Sequence, residues 1–206
     1  MERSAEGLRL PLDSAAFRAD IAKLIEARPG LDAVVRIVAT RGGHRIVLIE
    51  PLGERPPTLA LEPVTYAPTR LLDGIKSLSY AANMLASAIA RERGADDALL
   101  VTPHGRVLEL PTASFFLVID GEAWTAPLDD HVLDSITRRV IASVTSLREE
   151  PIALEALERA QEAFIAGTPY EVLAVHRVGG HRYEAPGPRT REIAAAVRER
   201  IAAELR

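Results

Sequence analysis

The sequence of 206 residues predicts a mixed α/β (α+β) protein with a small N-terminal domain and a larger, β-rich C-terminal domain. Residues 1–50 carry one amphipathic helical pattern followed by two β-rich runs. Residues 51–57 hold three prolines, one glycine and two charged residues, a composition typical of a linker. Short β-rich runs and further helical patterns fill residues 58–206. These observations predict an α/β domain at 1–50, a linker at 51–57 and a large domain at 58–206.

The first domain is predicted to hold one helix and a β-hairpin. Asp13 or Ser14 can cap a helix that ends near Ala27. Residues 33–39 and 45–49 are rich in β-branched side chains, and the glycine pair between them favours a hairpin. Apolar residues spaced by three and four positions give the helix one hydrophobic face, formed by Phe17, Ile21, Leu24 and Ile25.

The second domain is predicted to consist of short strands with helices between them. Helices are predicted at 77–93, 135–147, 153–160 and 190–205. Strands are predicted at 58–64, 98–102, 107–109, 114–119, 122–125, 164–166 and 171–177. The four strands between 98 and 125 follow one another across short turns, which predicts an antiparallel meander. The helix at 77–93 should bury an apolar face formed by Leu78, Ala81, Ala82, Leu85, Ala88 and Ile89.

Composition and charge argue against several classes of partner. The formal net charge is −4 and no basic cluster with interleaved aromatic residues occurs, so we expect no nucleic-acid partner. The chain has no cysteine, which excludes disulfides and thiolate catalysis and fits a reducing compartment. The five histidines show no metal-ligand spacing, and no apolar run approaches the roughly 20 residues that a membrane-spanning helix needs. We therefore expect a cytoplasmic protein without a metal or a membrane partner.

Lys76 is the first candidate catalytic residue. Only Lys23 and Lys76 are lysines, although lysine and arginine together number 25. Lysine, unlike arginine, can lose its proton and form a Schiff base with a carbonyl, the step on which pyridoxal-phosphate enzymes depend. Lys76 also lies at a predicted junction between a loop and a helix. The alternative interpretation is an ordinary solvated lysine at that junction.

Four short motifs follow one another along the chain. They are Gly74–Ile75–Lys76 with Tyr80, Gly94–Ala95–Asp96–Asp97–Ala98–Leu99–Leu100 leading to Gly105–Arg106–Val107–Leu108–Glu109, Leu133–Asp134–Ser135–Ile136–Thr137–Arg138, and Gly167–Thr168. In this order and spacing, the chain from about residue 33 to 178 resembles the class IV aminotransferases, the fold-type IV family of pyridoxal-phosphate enzymes. That family includes branched-chain aminotransferases, D-amino acid aminotransferases and aminodeoxychorismate lyases.

The resemblance implies pyridoxal 5'-phosphate as the cofactor. Lys76 matches the lysine that bonds the cofactor and then carries the proton of the substrate α-carbon, where a tethered amine acts at a large effective molarity. Glu109 matches the glutamate beside the pyridine nitrogen, whose negative charge keeps that nitrogen protonated so that the ring accepts electrons. Without the neighbouring motifs, an exposed strand glutamate would be the preferred interpretation of Glu109.

The resemblance also implies a phosphate-binding site. Ser135, Ile136 and Thr137 match the residues whose N–H groups face the phosphate from the start of a helix. The family usually has glycine where Ser135 stands, and the serine hydroxyl can serve either the phosphate or the helix cap. Thr168 matches a second phosphate-binding threonine, and Tyr80 a tyrosine near the phenolic oxygen of the cofactor. For each of these residues, a cap or core position is the alternative.

The implied function is an aminotransferase that moves an amino group between an amino acid and a 2-oxo acid. One alternative is an aminodeoxychorismate lyase, which converts 4-amino-4-deoxychorismate to p-aminobenzoate and pyruvate. Another is a truncated relative that binds the cofactor without turnover, because the N-terminal segment of the family is expected to be missing here. In the branched-chain members of the family, a residue after the glycine–threonine pair donates a backbone N–H to the substrate carboxylate. Pro169 follows the matching pair here and has no N–H, so the resemblance counts against a branched-chain substrate. The family also implies a homodimer.

Overall fold

The computed structural model describes residues 1–30, 32–67, 70–72 and 74–204. The chain divides into two compact units. The first unit is formed by Met1–Arg55 with Ile75–Ser77. The second is formed by Pro56–Gly74 with Leu78–Arg206.

The first unit contains two helices and one hairpin. Its elements are α1 (Glu2–Gly7), α2 (Ser14–Glu26), β1 (Ala33–Ala39) and β2 (Arg45–Pro51). Asp13 caps α2, because its side chain accepts a hydrogen bond from the Ala16 N–H at 2.9 Å. β1 and β2 pair antiparallel, and Gly43 adopts a φ of +80° in the turn between them. The predicted helix and hairpin are therefore confirmed. The predicted apolar face of the helix is wrong at Ile25, which is 58% exposed, whereas Phe17 is buried.

The second unit is built on one ten-stranded mixed sheet. Its strands follow the order β8-β7-β6-β10-β11-β3-β4-β5-β9, and β12 pairs with β11. The pairs β11 with β3 and β3 with β4 are parallel. The strands are β3 (Leu59–Thr65), β4 (Asp97–Val101), β5 (Arg106–Val107), β6 (Ser114–Ile119), β7 (Glu122–Thr125), β8 (Leu147–Glu149), β9 (Ile152–Ala153), β10 (Glu162–Gly167), β11 (Glu171–Val178) and β12 (His181–Arg182).

Three predictions for the elements of this unit are wrong. The helix predicted at 135–147 ends at Val144, and Leu147 begins β8. The strands between 98 and 125 do not form one meander, because β5 pairs with β9 whereas β6 pairs with β10. Alternation of apolar residues marks a strand but does not specify its neighbour in the sheet. The helix predicted at 153–160 is a short 3-10 helix, Leu154–Glu158, which directly follows β9.

Three α-helices pack against this sheet: α3 (Ala81–Glu92), α4 (Ile136–Val144) and α5 (Pro188–Glu204). The predicted helix end at residue 205 lies outside the described residues. Helix α3 buries Ala86 and Ala90 against Ala98 and Leu100 of β4. Helices α4 and α5 cover the stacked rings of two phenylalanines and share one apolar cluster that includes Phe116, Phe164, Ile141, Ile193 and Val197. Among the described residues, no helix has the length and apolar character required to cross a membrane.

The apolar face predicted for residues 77–93 is partly wrong. Leu78 is 72% exposed and Leu85 is 62% exposed, and Ala81 and Ala82 are exposed as well. The sequence of α3 is apolar on more than one side, so the spacing of its apolar residues does not decide which side faces the sheet. A row of apolar side chains therefore lies at the surface of the second unit.

Candidate functional site

A turn at residues 110–113 connects most of the predicted site residues of the second unit. The Leu110 N–H donates to the Ala113 carbonyl at 2.9 Å, which closes the turn. Glu109 precedes this turn and Ser114 follows it as the first residue of β6. Hydrogen bonds and close contacts join this segment to α3, to the start of α4 and to the end of β10.

Glu109 is half-buried just beyond β5. The Leu133 N–H donates to its Oε1 at 2.9 Å, and the Glu109 carbonyl accepts from the Leu100 N–H at 2.9 Å. Glu109 is therefore held on its backbone by β4 and on its carboxylate by the loop before α4. Glu109 is therefore not the exposed strand residue that its sequence position alone would suggest.

The start of α4 brings Ser135 to the same turn. Its Oγ accepts from the Arg138 N–H at 3.1 Å and lies 3.0 Å from Ser114 Oγ. With φ at −77°, Ser135 adopts an ordinary extended conformation, so the position does not require glycine. Ser135 therefore serves as the helix cap, and the first-turn N–H groups of Ile136 and Thr137 have no intrahelical acceptor.

Thr168 reaches this region through strand pairing. In the β10–β6 pair Ala166 is opposite Ser114, and Gly167 ends β10. A Cβ added at Gly167 would lie 3.4 Å from Ala113 Cβ and 3.6 Å from the Thr112 carbonyl oxygen. Gly167 thus packs directly against the turn at 110–113, and the exposed Thr168 follows it in the loop to β11.

Tyr80 lies on the other side of that turn, at the N-cap of α3. Its hydroxyl donates to the Pro111 carbonyl, and Asn83 Nδ2 donates to the same carbonyl at 3.4 Å. The Tyr66 hydroxyl donates to Asn83 Oδ1 at 3.1 Å. Burial, and secondarily the charge of Glu109, raise the pKa of Tyr66.

Tyr66 and Asn83 are linked to this turn by hydrogen bonds, and the sequence analysis assigned neither of them to the candidate site. Asn83 lies three positions after Tyr80, a spacing that places both side chains on one side of a helix. That spacing was the available signal for Asn83. Tyr66 gives no signal of this kind, because its link to the site depends on the fold.

Lys76 belongs to the first unit. Its side chain is exposed, and its backbone N–H donates to Ser4 Oγ at 3.0 Å. The preceding Ile75 packs against Gly7, where an added Cβ would lie 2.9 Å from Ile75 Cδ1. Helix α1 therefore fixes the backbone of Lys76, and the chemical role of its amine stays a prediction.

The donor set in the second unit fits pyridoxal phosphate. A helix start with first-turn N–H groups suits a phosphate dianion, and Thr168 adds an exposed hydroxyl. Glu109 offers a carboxylate of the kind that would keep a pyridine nitrogen protonated. The loop from Leu133 to Ser135 joins these two parts, because Leu133 binds Glu109 and Ser135 caps α4.

Known sequences are similar to this chain. A putative branched-chain-amino-acid aminotransferase of Methanocaldococcus jannaschii is 31% identical over 173 residues, 72% of this chain and 60% of that protein. A D-alanine aminotransferase of Listeria monocytogenes is 32% identical over 111 residues, 52% of this chain and 38% of that protein. The chain thus spans less than two thirds of the length of these relatives.

Solved structures share the fold. The branched-chain aminotransferase from Thermoproteus uzoniensis with norvaline superposes with a TM-score of 0.83 at 26% identity, over 96% of this chain and 75% of that one. A putative 4-amino-4-deoxychorismate lyase from Legionella pneumophila gives a TM-score of 0.85 at 20% identity, over 96% and 82% of the two chains. The PLP-bound form of a hypothetical aminotransferase from Mycobacterium tuberculosis gives 0.86 at 20% identity, over 98% and 81%. The last two likenesses concern the fold alone.

The sequence profile of one family covers most of the chain. The amino-transferase class IV profile matches residues 1–178, which include every predicted site residue. The fold agrees with this match, since the superposed branched-chain aminotransferase structure covers 96% of this chain. The chain therefore belongs to the class IV aminotransferase family.

Proposed function

We propose that this protein is a pyridoxal-phosphate-dependent aminotransferase that moves an amino group between an amino acid and a 2-oxo acid. The observation that carries the proposal is the hydrogen bond from the Leu133 N–H to Glu109 Oε1. This hydrogen bond joins Glu109, which we assign to the pyridine nitrogen, to the loop before α4. We assign the start of α4 to the phosphate. Membership of the class IV family supports the same activity.

When bound, pyridoxal phosphate supplies a carbonyl for the amino group and a ring that accepts electrons. Lys76 provides the amine that holds the cofactor and that moves the proton at the substrate α-carbon. Glu109 keeps a proton on the pyridine nitrogen by placing a negative charge beside it. Tyr80 is assigned to the phenolic oxygen of the cofactor, and its hydroxyl is oriented by the turn at 110–113.

The phosphate is assigned to the start of α4 and to the loop after β10. Ile136 and Thr137 offer backbone N–H groups at the positive end of the helix dipole. Ser135 shapes this turn by capping it, and the Thr168 hydroxyl adds one further donor. Two contacts support this assignment. The pairing of β10 with β6 brings the loop after β10 to residues 112–114, and the contact of Ser135 Oγ with Ser114 Oγ brings the start of α4 there.

An assay of products separates this activity from its two alternatives. The protein loaded with pyridoxal phosphate should convert amino acid and 2-oxo acid pairs into the exchanged pair. Pyruvate formed from aminodeoxychorismate without any amino acceptor would instead identify a lyase. If the cofactor binds and neither product forms, the chain is a relative that binds the cofactor without turnover.

The choice of substrate follows from Pro169. It stands directly after Thr168 and has no N–H to donate to a substrate carboxylate. We therefore propose a substrate outside the branched-chain amino acids, with D-alanine and other small amino acids first in the assay. We also propose that the protein acts in the cytoplasm.

A further inference from the structure

Arg138 carries a buried positive charge in the first turn of α4. The residue is 3% exposed, and its guanidinium donates to Thr125 Oγ1 at 3.2 Å, to the Ala126 carbonyl at 2.7 Å and to Glu149 Oε2 at 2.9 Å. Removing a cation from water costs free energy that only good hydrogen bonds offset. Packing alone does not require an arginine here, because the same helix buries Ile141 in the apolar cluster beneath it.

The acceptors of Arg138 belong to the sheet. Thr125 ends β7 and itself donates to the Phe115 carbonyl of β6 at 2.8 Å, and Glu149 ends β8. The guanidinium therefore ties the first turn of α4 directly to β7 and β8, and to β6 through Thr125. Because a guanidinium is planar and carries several donors, one side chain can satisfy these separate acceptors at once.

The backbone of the same residue acts on the helix cap. The Arg138 N–H donates to Ser135 Oγ at 3.1 Å, and this oxygen is also 3.0 Å from Ser114 Oγ. Ile136 and Thr137 lie between the two ends of that hydrogen bond in the sequence. The turn that carries these two N–H groups is thus fixed twice by Arg138. Its backbone N–H bonds the Ser135 cap, and its guanidinium bonds the sheet.

We propose that Arg138 is the positioning residue for the phosphate group of the cofactor, holding the N–H groups of Ile136 and Thr137 in the orientation that binds the dianion. The inference rests on the proposed function, since it requires that the start of α4 binds this phosphate. Arg138 does not touch the phosphate in this role. It acts through the geometry of the turn and through a positive charge that favours an anion at the helix start.

The test compares pyridoxal phosphate with pyridoxal, which lacks the phosphate. Dissociation constants for both are measured in the wild-type protein and in Arg138→Lys, with far-UV circular dichroism and thermal unfolding to verify the fold. The lysine keeps the charge but cannot satisfy three separated acceptors. We expect the constant for pyridoxal phosphate to rise about ten-fold, the effect of one hydrogen bond to a charged group, and the constant for pyridoxal to change less than about two-fold.

Arg139→Lys is the matched control. Arg139 is the next residue, its side chain is 58% exposed, and it pairs only loosely with Asp134 at 3.5 Å. This variant should keep the wild-type preference for pyridoxal phosphate. A merely structural role for Arg138 would weaken binding of both ligands equally, and an unchanged ratio in Arg138→Lys overturns the inference.

Glu149→Ala tests the inference if Arg138→Lys does not fold. The Glu149 side chain is 42% exposed, so its removal leaves little buried space, but it takes one acceptor from the guanidinium. We expect a loss of about three-fold for pyridoxal phosphate alone, as for a partly exposed ion pair. If the wild-type protein does not prefer pyridoxal phosphate over pyridoxal, the proposed function itself is refuted. If the wild-type protein has this preference and every variant retains it, only the role of Arg138 is refuted.

Discussion

Glu109 is the residue on which the electronic part of the proposed mechanism depends. In Glu109→Gln the amide can still accept from the Leu133 N–H, so the loop and the cofactor site should persist. The neutral amide cannot stabilise a proton on the pyridine nitrogen. Exchange of the substrate α-hydrogen with deuterium should therefore fall on the order of 100-fold, as when a charge-stabilising group is lost from an active site.

The measurement is proton NMR of the substrate in deuterated water, with cofactor binding followed by absorbance. Glu62→Gln is a matched control, because Glu62 lies in β3 and its exposed ion pair with Arg93 spans 3.4 Å. If Glu109→Gln binds the cofactor and exchanges the α-hydrogen at the wild-type rate, Glu109 is not the partner of the pyridine nitrogen.

At the residue scale, the sequence points to candidate residues by their type and spacing, but it does not show which residues the fold brings next to them. Glu109 and Ser135 follow from motifs, because their residue types and spacing match a known family. Tyr66 is brought near Glu109 by the parallel pairing of β3 and β4, which no local pattern encodes. The hydrogen bonds that the Pro111 carbonyl accepts from Tyr80 and Asn83 cannot be predicted from the sequence either, because every residue has a backbone carbonyl.

At the element scale, the attachment of α5 gives a stability prediction. The buried carboxylate of Glu162 accepts from the N–H groups of Arg189 at 2.9 Å and Thr190 at 2.8 Å, and so caps the helix. A Cβ at Gly187 would lie 2.2 Å from Glu162 Cδ. Gly187→Ala should therefore lower the free energy of unfolding by about 1–3 kcal/mol, the usual cost of overpacking.

Chemical denaturation measures this change, and Gly180→Ala provides the control. An added Cβ at Gly180 meets no atom within 4 Å, so that variant should be near neutral or slightly stabilised by the lower entropy of its unfolded chain. If the two variants are equally stable, the close approach of Gly187 to Glu162 does not contribute to the free energy of unfolding.

The helices and strands were easier to predict from the sequence than the elements against which they pair or pack. The cap at Asp13 and the β-branched runs of β1 and β2 are local signals, and both elements formed where they were expected. The partners of β5 and β6 depend on β9 and β10, which lie about 45 residues further along the chain. The buried face of α3 was mispredicted for the same reason, since only the position of β4 decides it.

At the scale of the whole molecule, we propose a homodimer. Leu78, Met84 and Leu85 are 72%, 66% and 62% exposed in the second unit, and neighbouring exposed apolar side chains of this size commonly mark an interface. Sedimentation velocity should show a dimer at micromolar concentration, and Leu85→Glu should shift it toward the monomer. A wild-type monomer would contradict the proposal.

The division into domains at residues 1–50 and 58–206 also remains a proposal. The linker was predicted from its prolines and charges, which are local features. Limited proteolysis should cut first within 51–57, because exposed connecting segments are the preferred sites of cleavage. A first cut elsewhere would contradict the proposed boundary.

The central claim is that the protein holds pyridoxal phosphate through Lys76. The chain offers a sharp test, because Lys23 is its only other lysine. The protein is mixed with the cofactor, reduced with borohydride and digested, and mass spectrometry locates the modified amine. We predict a visible absorbance that reduction abolishes and a label on Lys76, present in Lys23→Arg and missing in Lys76→Arg. A label on Lys23 or on the N-terminal amine, or an unchanged reducible adduct in Lys76→Arg, would contradict the account.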